Sequence, residues 1–197
     1  MKLNQEADDS QKIVNEIASH YRAILELIGE DCSREGLKDT PVRAAKALYY
    51  VTRGYRQDID AVIHGAMFTA PSSDDDMVIV RDIEFYSLCE HHILPFFGTV
   101  SIGYIPGEKI VGLSKVARIV DMFARRLQVQ ERFAHELCDV LTEKLQAKGV
   151  MVSCRARHLC MQMRGVEKQS SSTVTIASSG MFRKDESLRN QFLASIN

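Results

Sequence analysis

The first part of the chain contains two stretches in which apolar residues recur at helical spacing. One runs from Ser10 to Gly29, where Ser10 is suited to cap a helix and Gly29 to end it. The other begins at Thr40 and Pro41, a capping residue followed by a proline in the first turn, and stops before Gly54. The pattern therefore predicts two helices, each with one buried face.

Further along, the composition becomes β-branched and aromatic. Met77 to Phe85 and Phe97 to Ile105 predict two strands, and a histidine cluster lies in the segment between them. The later predicted elements are a helix from Ser114, a helix from about Val129 to Lys148, strands from Val150 to Arg164 and Ser171 to Ser178, and a helix from Asp185 to Ile196. This order of elements predicts an α+β fold with an antiparallel sheet.

The two regions are separated by Pro71 to Asp76, which reads PSSDDD. Turn-forming residues followed by an acidic run are typical of a connector. We place the domain boundary there. Residues 1–72 are predicted to form an N-terminal helical arm, and residues 73–197 the α+β domain that carries the chemistry.

The charge balance limits the kinds of partner. Lys and Arg number 25 against 26 Asp and Glu, a formal charge of -1, which excludes a generally basic nucleic-acid-binding protein. No stretch approaches the roughly 20 apolar residues that cross a bilayer, and the polar start is unlike a signal peptide. Five cysteines, an odd number, favour reduced thiols. We therefore expect a cytoplasmic protein without nucleic-acid or membrane partners.

A dense group of potential metal ligands lies between the first two predicted strands. Cys89, His91 and His92 fall within four consecutive positions. Far downstream, His158 and Cys160 are two residues apart in a predicted strand, so their side chains should leave the same face. Thiolate and imidazole groups gathered from distant segments are typical of a zinc site.

The spacing narrows the choice among these five residues without settling it. Cys89 and His92 form a Cys-x-x-His pair that can bind one ion, and Cys160 supplies a third ligand. Three protein ligands would leave a position for water, and His91 and His158 would be free to act as general acid and base. The alternative is a structural site closed by four protein ligands.

A second group of residues points to phosphate. Ser114 is predicted to cap a helix whose first turns carry Lys115 and Arg118 on one face. Strand alternation from His158 would place Arg164 on the same sheet surface as the metal ligands. These cations would suit the phosphates of a nucleotide, although lysine and arginine in a first helical turn are more often simply solvated.

Gln130 and Glu131 open the predicted helix that follows. An amide beside a carboxylate matches the edge of guanine, whose ring N–H and amino group are donors. The pair is weak evidence alone, because glutamine and glutamate at a helix start are commonly capping residues.

Taken together, these motifs resemble GTP cyclohydrolase I of the zinc-dependent type. The matching segments are DTPVRAAK at Asp39–Lys46, CEHH at Cys89–His92, GYIPGEKIVGLSKVARIVDMFARRLQVQERF at Gly103–Phe133, and HLCMQMRG at His158–Gly165. They extend from the second predicted helix to near the end of the chain. The first ten or so residues match nothing in the family, and residues 170–180 follow it loosely.

The resemblance implies a role for each candidate residue. It makes Cys89, His92 and Cys160 the Zn²⁺ ligands, and His91 and His158 the acid-base pair. The remaining implied contacts are Gln130 and Glu131 with the guanine, Ser114, Lys115, Arg118 and Arg164 with the triphosphate and its surroundings, Lys46 with the phosphates from a neighbouring subunit, and Glu90 in support of the site.

The resemblance also implies a fold, an assembly and a reaction. The fold is an antiparallel-sheet barrel of the tunnelling type (T-fold), and the assembly is a homodecamer of two pentamers with active sites between subunits. The reaction converts GTP and water to 7,8-dihydroneopterin triphosphate and formate. The alternatives are another zinc-dependent purine nucleotide hydrolase, a pterin or deazapurine enzyme of the same fold, or a non-enzymatic module with structural zinc.

Overall fold

A computed structural model describes residues 2–70 and 76–196 of the chain. The chain divides into two compact units between Arg53 and Gly54. The predicted connector at Pro71–Asp76 lies outside the described residues apart from Asp76, and so does the predicted boundary at residues 72 and 73. Residues 54–70, which were predicted to belong to the helical arm, are part of the second unit.

The first unit contains two helices, α1 (Lys2–Leu27) and α2 (Thr40–Val51). They pack through Val14, Ala18 and Ala45, all buried. Helix α1 begins before the predicted cap at Ser10. Helix α2 begins at Thr40 as predicted, with a proline in its first turn. Both predicted helices are therefore confirmed, and each buries one face.

The second unit contains the remaining helices and strands. In chain order they are a 3₁₀ turn that overlaps the unit boundary (Arg53–Arg56), α3 (Ile59–Ile63), β1 (Met67–Thr69), β2 (Val78–Cys89), β3 (Pro95–Ile105), β4 (Lys109–Val111), α4 (Leu113–Ala124), β5 (Leu127–Gln128), α5 (Gln130–Leu145), β6 (Gly149–His158), α6 (Leu159–Gln162), β7 (Thr173–Ser178), α7 (Met181–Lys184) and α8 (Glu186–Ile196). Within the described ranges, no helix is both long and apolar enough to cross a bilayer.

Five of these strands form one sheet in the order β5-β2-β3-β6-β7. Strands β2, β3, β6 and β7 pair antiparallel, which confirms the predicted α+β class with an antiparallel sheet. The short strand β5 departs from the prediction because it pairs parallel to the end of β2. Strands β1 and β4 form a separate two-stranded sheet.

Helices α4 and α5 contribute to the hydrophobic core beside this sheet. Helical spacing predicts that α5 buries Phe133, Leu137, Leu141 and Leu145, and all four side chains have 0% exposure. The helix ends at Leu145, where the left-handed conformation of Gln146 closes it before the predicted end at Lys148. The beginning of α5 follows directly on β5, so it lies at the same sheet edge as the end of β2.

Candidate metal centre and active site

The residues of the CEHH motif form a tight turn between β2 and β3. The Cys89 N–H donates to the Leu94 carbonyl at 2.8 Å, and the Cys89 carbonyl accepts from the N–H groups of His92 and Ile93 at 3.2 and 2.8 Å. Ile93 closes the turn with φ of 55°, a region that β-branched residues rarely adopt. Such strain is typical of functional loops.

Three side chains in this region form a potential metal site. The ligand atoms of Cys89, His92 and Cys160 all lie within 4.8 Å of one another. In a tetrahedral zinc site, ligand atoms about 2.0–2.3 Å from the ion are roughly 3.3–3.8 Å apart, a spacing close to this one. Two sulfurs and one imidazole are also a donor set that zinc favours, so the residues present fit this ion.

Cys160 lies beside the Cys89 sulfur in a partly buried position. Burial raises the pKa of the Cys160 thiol, and the neighbouring Cys89 sulfur raises that pKa further. Two thiolates this close would repel each other in the absence of positive charge. A divalent cation would offset that repulsion and favour both deprotonated forms.

Cys160 reaches this cluster by a different local structure from the one predicted. Strand β6 ends at His158, and Leu159–Gln162 forms a helical turn. The prediction that Cys160, Gln162 and Arg164 continue the alternation of a strand is therefore wrong. Arg164 lies beyond the turn and is exposed, and its charge opposes the rise in the pKa of Cys160.

The candidate metal ligands line a cavity of about 210 Å³. The residues around it are Cys89, His91, His92, Gln128, Val129, Gln130, Glu131, His158, Cys160, Met161 and Thr173. Seven of the site residues predicted from the sequence, which come from widely separated segments, therefore line the same cavity. His91 also approaches the centre closely, because its Nδ1 lies 3.9 Å from the Cys89 sulfur.

His158 is held at the end of β6 by two contacts. Its ring stacks on Phe96, with centroids 4.7 Å apart and planes within 2° of parallel. Its Nε2 lies 2.8 Å from Gln130 Oε1. Burial lowers the pKa of His158, and the Glu131 carboxylate opposes that shift. The ring is therefore oriented in the cavity and favours the neutral form.

The side chain of Gln130 was expected to contact the guanine, but its partners lie inside the protein. The side chain is 1% exposed. Its amide nitrogen donates to the carbonyls of Cys154 and Thr173, both at 3.0 Å, and its oxygen faces His158. Both side-chain donors are already used inside the protein. The neighbouring Glu131 is exposed and lines the cavity, so of the pair its carboxylate is the group available to a base.

Glu90 faces a different cavity from its neighbours in the turn. Its carboxylate accepts from the Arg132 guanidinium, which holds the pKa of Glu90 below its usual value. Arg132 also donates to the Gln128 side chain at 3.0 Å. Glu90 is thus tied to the first turn of α5, a contact that joins the turn with the candidate metal ligands to the helix that carries Glu131.

The predicted phosphate residues at the start of α4 do not line the 210 Å³ cavity. Helix α4 begins at Leu113 with Gly112 as its cap residue, so the prediction that Ser114 caps the helix is wrong. The Lys115 ammonium donates to the Val62 and His64 carbonyls, at 2.8 and 3.4 Å.

Two further predicted phosphate residues, Arg118 and Arg164, are also outside the lining of that cavity. Arg118 lines a separate cavity of about 660 Å³, which Arg56 and Asp121 also border. Lys46 is exposed on α2, in the first unit.

Some residues of the site were not anticipated from the sequence. Phe96 stacks on His158, Arg132 binds Glu90, and Thr173 accepts from Gln130. Phe96 lies opposite His158 in the sheet. Pairing of the strand predicted from Phe97 with the strand predicted from Val150 could have pointed to this contact. The other two contacts depend on how α5 sits beside the sheet, and the sequence pattern carries no signal for them.

Fold and site together define an α+β protein with a candidate metal centre and two adjacent histidines in one cavity. The sequence profile described as GTP cyclohydrolase I matches residues 17–197. The chain therefore belongs to the GTP cyclohydrolase I family.

Curated relatives support the same assignment. The chain is 55% identical over 177 residues to GTP cyclohydrolase 1 of Alkalilimnicola ehrlichii, covering 90% of this chain and 95% of that protein. It is 52% identical over 182 residues to GTP cyclohydrolase 1 of Coxiella burnetii, covering 92% and 98%. Among solved structures, an archaeosine synthase QueF-Like in the apo form aligns with 19% identity and a TM-score of 0.44, covering 55% of this chain and 97% of that one.

Proposed function

We propose that this protein converts GTP and water to 7,8-dihydroneopterin triphosphate and formate. The observation that carries the proposal is the meeting of Cys89, His92 and Cys160 with two further histidines and a carboxylate in one cavity. Family membership and relatives named GTP cyclohydrolase 1 support the reaction.

The bound metal in this proposal is Zn²⁺, held by Cys89, His92 and Cys160. When bound, zinc would acidify a water molecule and so make a nucleophile available near neutral pH. The donor set supports this choice over magnesium or calcium, which prefer oxygen ligands. Another zinc-dependent purine hydrolase would use the same three ligands, whereas a structural zinc module would add a fourth protein ligand. The release of formate from GTP separates these alternatives from the proposed reaction.

The chain's own residues would orient the purine and move protons. Glu131 would accept the ring N–H and amino donors of guanine. His91 and His158 would exchange protons with the purine nitrogens as water adds at carbon 8 and the imidazole ring opens. Two hydrolytic steps release formate, and closure of the new ring after rearrangement of the ribose returns one water, so one water is consumed overall.

The assembly is proposed to be a homodecamer of two pentamers with active sites between subunits. The cavity in one chain, about 210 Å³, is smaller than the roughly 300–1,000 Å³ typical of ligand pockets. A neighbouring subunit that contributes Lys46, beside Ser114, Lys115, Arg118 and Arg164, would complete a triphosphate site. A mass measurement of the intact assembly tests for ten copies of the 22.2 kDa chain.

We also propose a cytoplasmic location. All five cysteines lie in the described part of the chain, and none of them forms a disulfide. Reduced cysteines are typical of the cytosol.

The reaction is tested by incubating the purified, metal-loaded protein with GTP. We expect one formate for each GTP consumed, together with a pterin that becomes fluorescent after oxidation. Removing the metal with a chelator should abolish both products, and added zinc should restore them. An intact GTP pool with zinc fully bound would refute the proposal, and ammonia in place of formate would favour a deaminase.

Replacing Glu131 with glutamine is expected to weaken guanine selection. The change removes a charged acceptor that would bind two guanine donors, so kcat/KM for GTP should fall roughly 10- to 100-fold. Discrimination between GTP and ATP should fall with it. Glu143→Gln, on the exposed far end of the same helix, is the matched control. Unchanged discrimination in Glu131→Gln would remove the assignment.

A further inference from the structure

Gln130 connects the candidate acid-base histidine to two backbone segments. Its amide nitrogen lies 3.0 Å from the Cys154 carbonyl on β6 and 3.0 Å from the Thr173 carbonyl at the start of β7. Its amide oxygen lies 2.8 Å from His158 Nε2. With 1% exposure, the side chain has almost no access to solvent that could replace these partners.

The chemistry of these partners fixes which way the amide points. A backbone carbonyl can only accept a hydrogen bond, so both N–H donors of Gln130 must face Cys154 and Thr173. The reverse orientation would place the amide oxygen against two carbonyl oxygens in a buried position. The oxygen is therefore the atom that faces His158.

This orientation in turn selects one form of the histidine ring. Because the Gln130 oxygen can only accept, the Nε2 of His158 must carry the hydrogen. In the neutral ring the lone pair then lies on Nδ1. Among residues 2–70 and 76–196, none forms a hydrogen bond with that Nδ1.

We propose that Gln130 is a positioning residue that fixes His158 as its Nε2–H tautomer and leaves Nδ1 as the atom that exchanges a proton with the substrate. The second half of this statement rests on the proposed function. The first half concerns the folded protein alone and can be measured whatever the reaction is.

Two constraints on the ring act together. Stacking on Phe96 fixes the plane of the imidazole, and the hydrogen bond to Gln130 fixes its rotation within that plane. The backbone of β6 that carries His158 and Cys154 is also restrained, because both residues pair with β3. His158 pairs with Phe96, and Cys154 pairs with Val100. A ring held in this way leaves one defined nitrogen, Nδ1, for proton exchange.

The tautomer can be read by solid-state NMR of the full-length, metal-loaded protein, with histidine labelled with ¹⁵N only at Nε2. The His158 signal is identified by its loss in His158→Asn. We expect this signal to have the shift of a protonated nitrogen in the natural chain. A shift typical of an unprotonated imidazole nitrogen would overturn the proposal.

Two variants of Gln130 separate positioning from structural support. Gln130→Met removes the acceptor, and part of the His158 signal should move to the unprotonated position. Gln130→Glu keeps an acceptor while losing both donors to the strands, so the protonated signal should persist even if the fold is less stable. If Gln130→Met folds and leaves the signal unchanged, the proposal is wrong.

Gln128→Met is the matched control, because Gln128 is also 1% exposed and donates internally, to Phe123 and Glu136, without contacting His158. Its His158 signal should stay protonated. In the GTP assay, Gln130→Met should lower kcat roughly 10- to 100-fold with little change in KM. If the natural chain had no activity on GTP, the proposed function would fail while the tautomer measurement still stood.

Discussion

Replacing Cys160 with serine is expected to remove the metal and the activity together. A serine hydroxyl is a poor substitute for a thiolate, because it remains protonated near neutral pH and is a harder donor than zinc favours. The variant would leave Cys89 and His92 as a two-ligand site on one turn. The loss of activity should exceed the roughly 10- to 100-fold typical of removing an outer partner of a metal ligand.

The metal-to-chain ratio and the rate of formate release are the measurements for this variant. Cys138→Ser is the matched control, because the buried Cys138 thiol lies away from the centre and donates to the Val150 carbonyl at 3.6 Å. Serine can make that bond too, so the control should retain its metal. One tightly bound zinc per chain in Cys160→Ser would show that the ligand set is different.

The position of Cys160 shows what the sequence pattern misses. In the sequence, the pattern typical of a strand continues past His158 and predicts a strand to Arg164. The strand in the structure ends at His158. Strand β6 ends because its partner β3 begins at Pro95, which has no N–H, and the last pair in the ladder is Phe96 with His158. The end of one strand is thus set by a residue some sixty positions away.

Burial of helical faces, in contrast, could be predicted well. The stripe of α4 formed by Val116, Ile119 and Val120 is fully buried, as its spacing indicates. Hydrophobic periodicity is local, and each helix needs only one apolar face to find the core. The candidate metal ligands could also be found from the sequence, because thiols and imidazoles are too rare to cluster in four residues by packing alone.

The role of Gln130 could not be read in the same way. Its position at a helix start suggests a cap or a base contact, and both readings use local sequence only. Its actual partners are carbonyls on β6 and β7, 24 and 43 residues away in the chain. Only the folded sheet places those two carbonyls and the His158 ring around one amide.

Replacing His158 with alanine should separate proton transfer from metal binding. His158 contacts Gln130 and Phe96. The candidate metal site is formed by three other residues, Cys89, His92 and Cys160. The variant should therefore keep its zinc. Turnover should fall by roughly 10²- to 10⁴-fold, the range typical of losing a general acid or base.

Zinc content and single-turnover formate release, measured on the same preparation, distinguish the two roles. His135→Ala is the matched control, because His135 is exposed on α5 outside the cavity and should retain both properties. Thermal unfolding of His158→Ala reports the loss of the Phe96 stacking contact separately. If His158→Ala loses zinc as completely as Cys160→Ser, His158 belongs to the ligand set, and the division between ligands and acid-base groups is wrong.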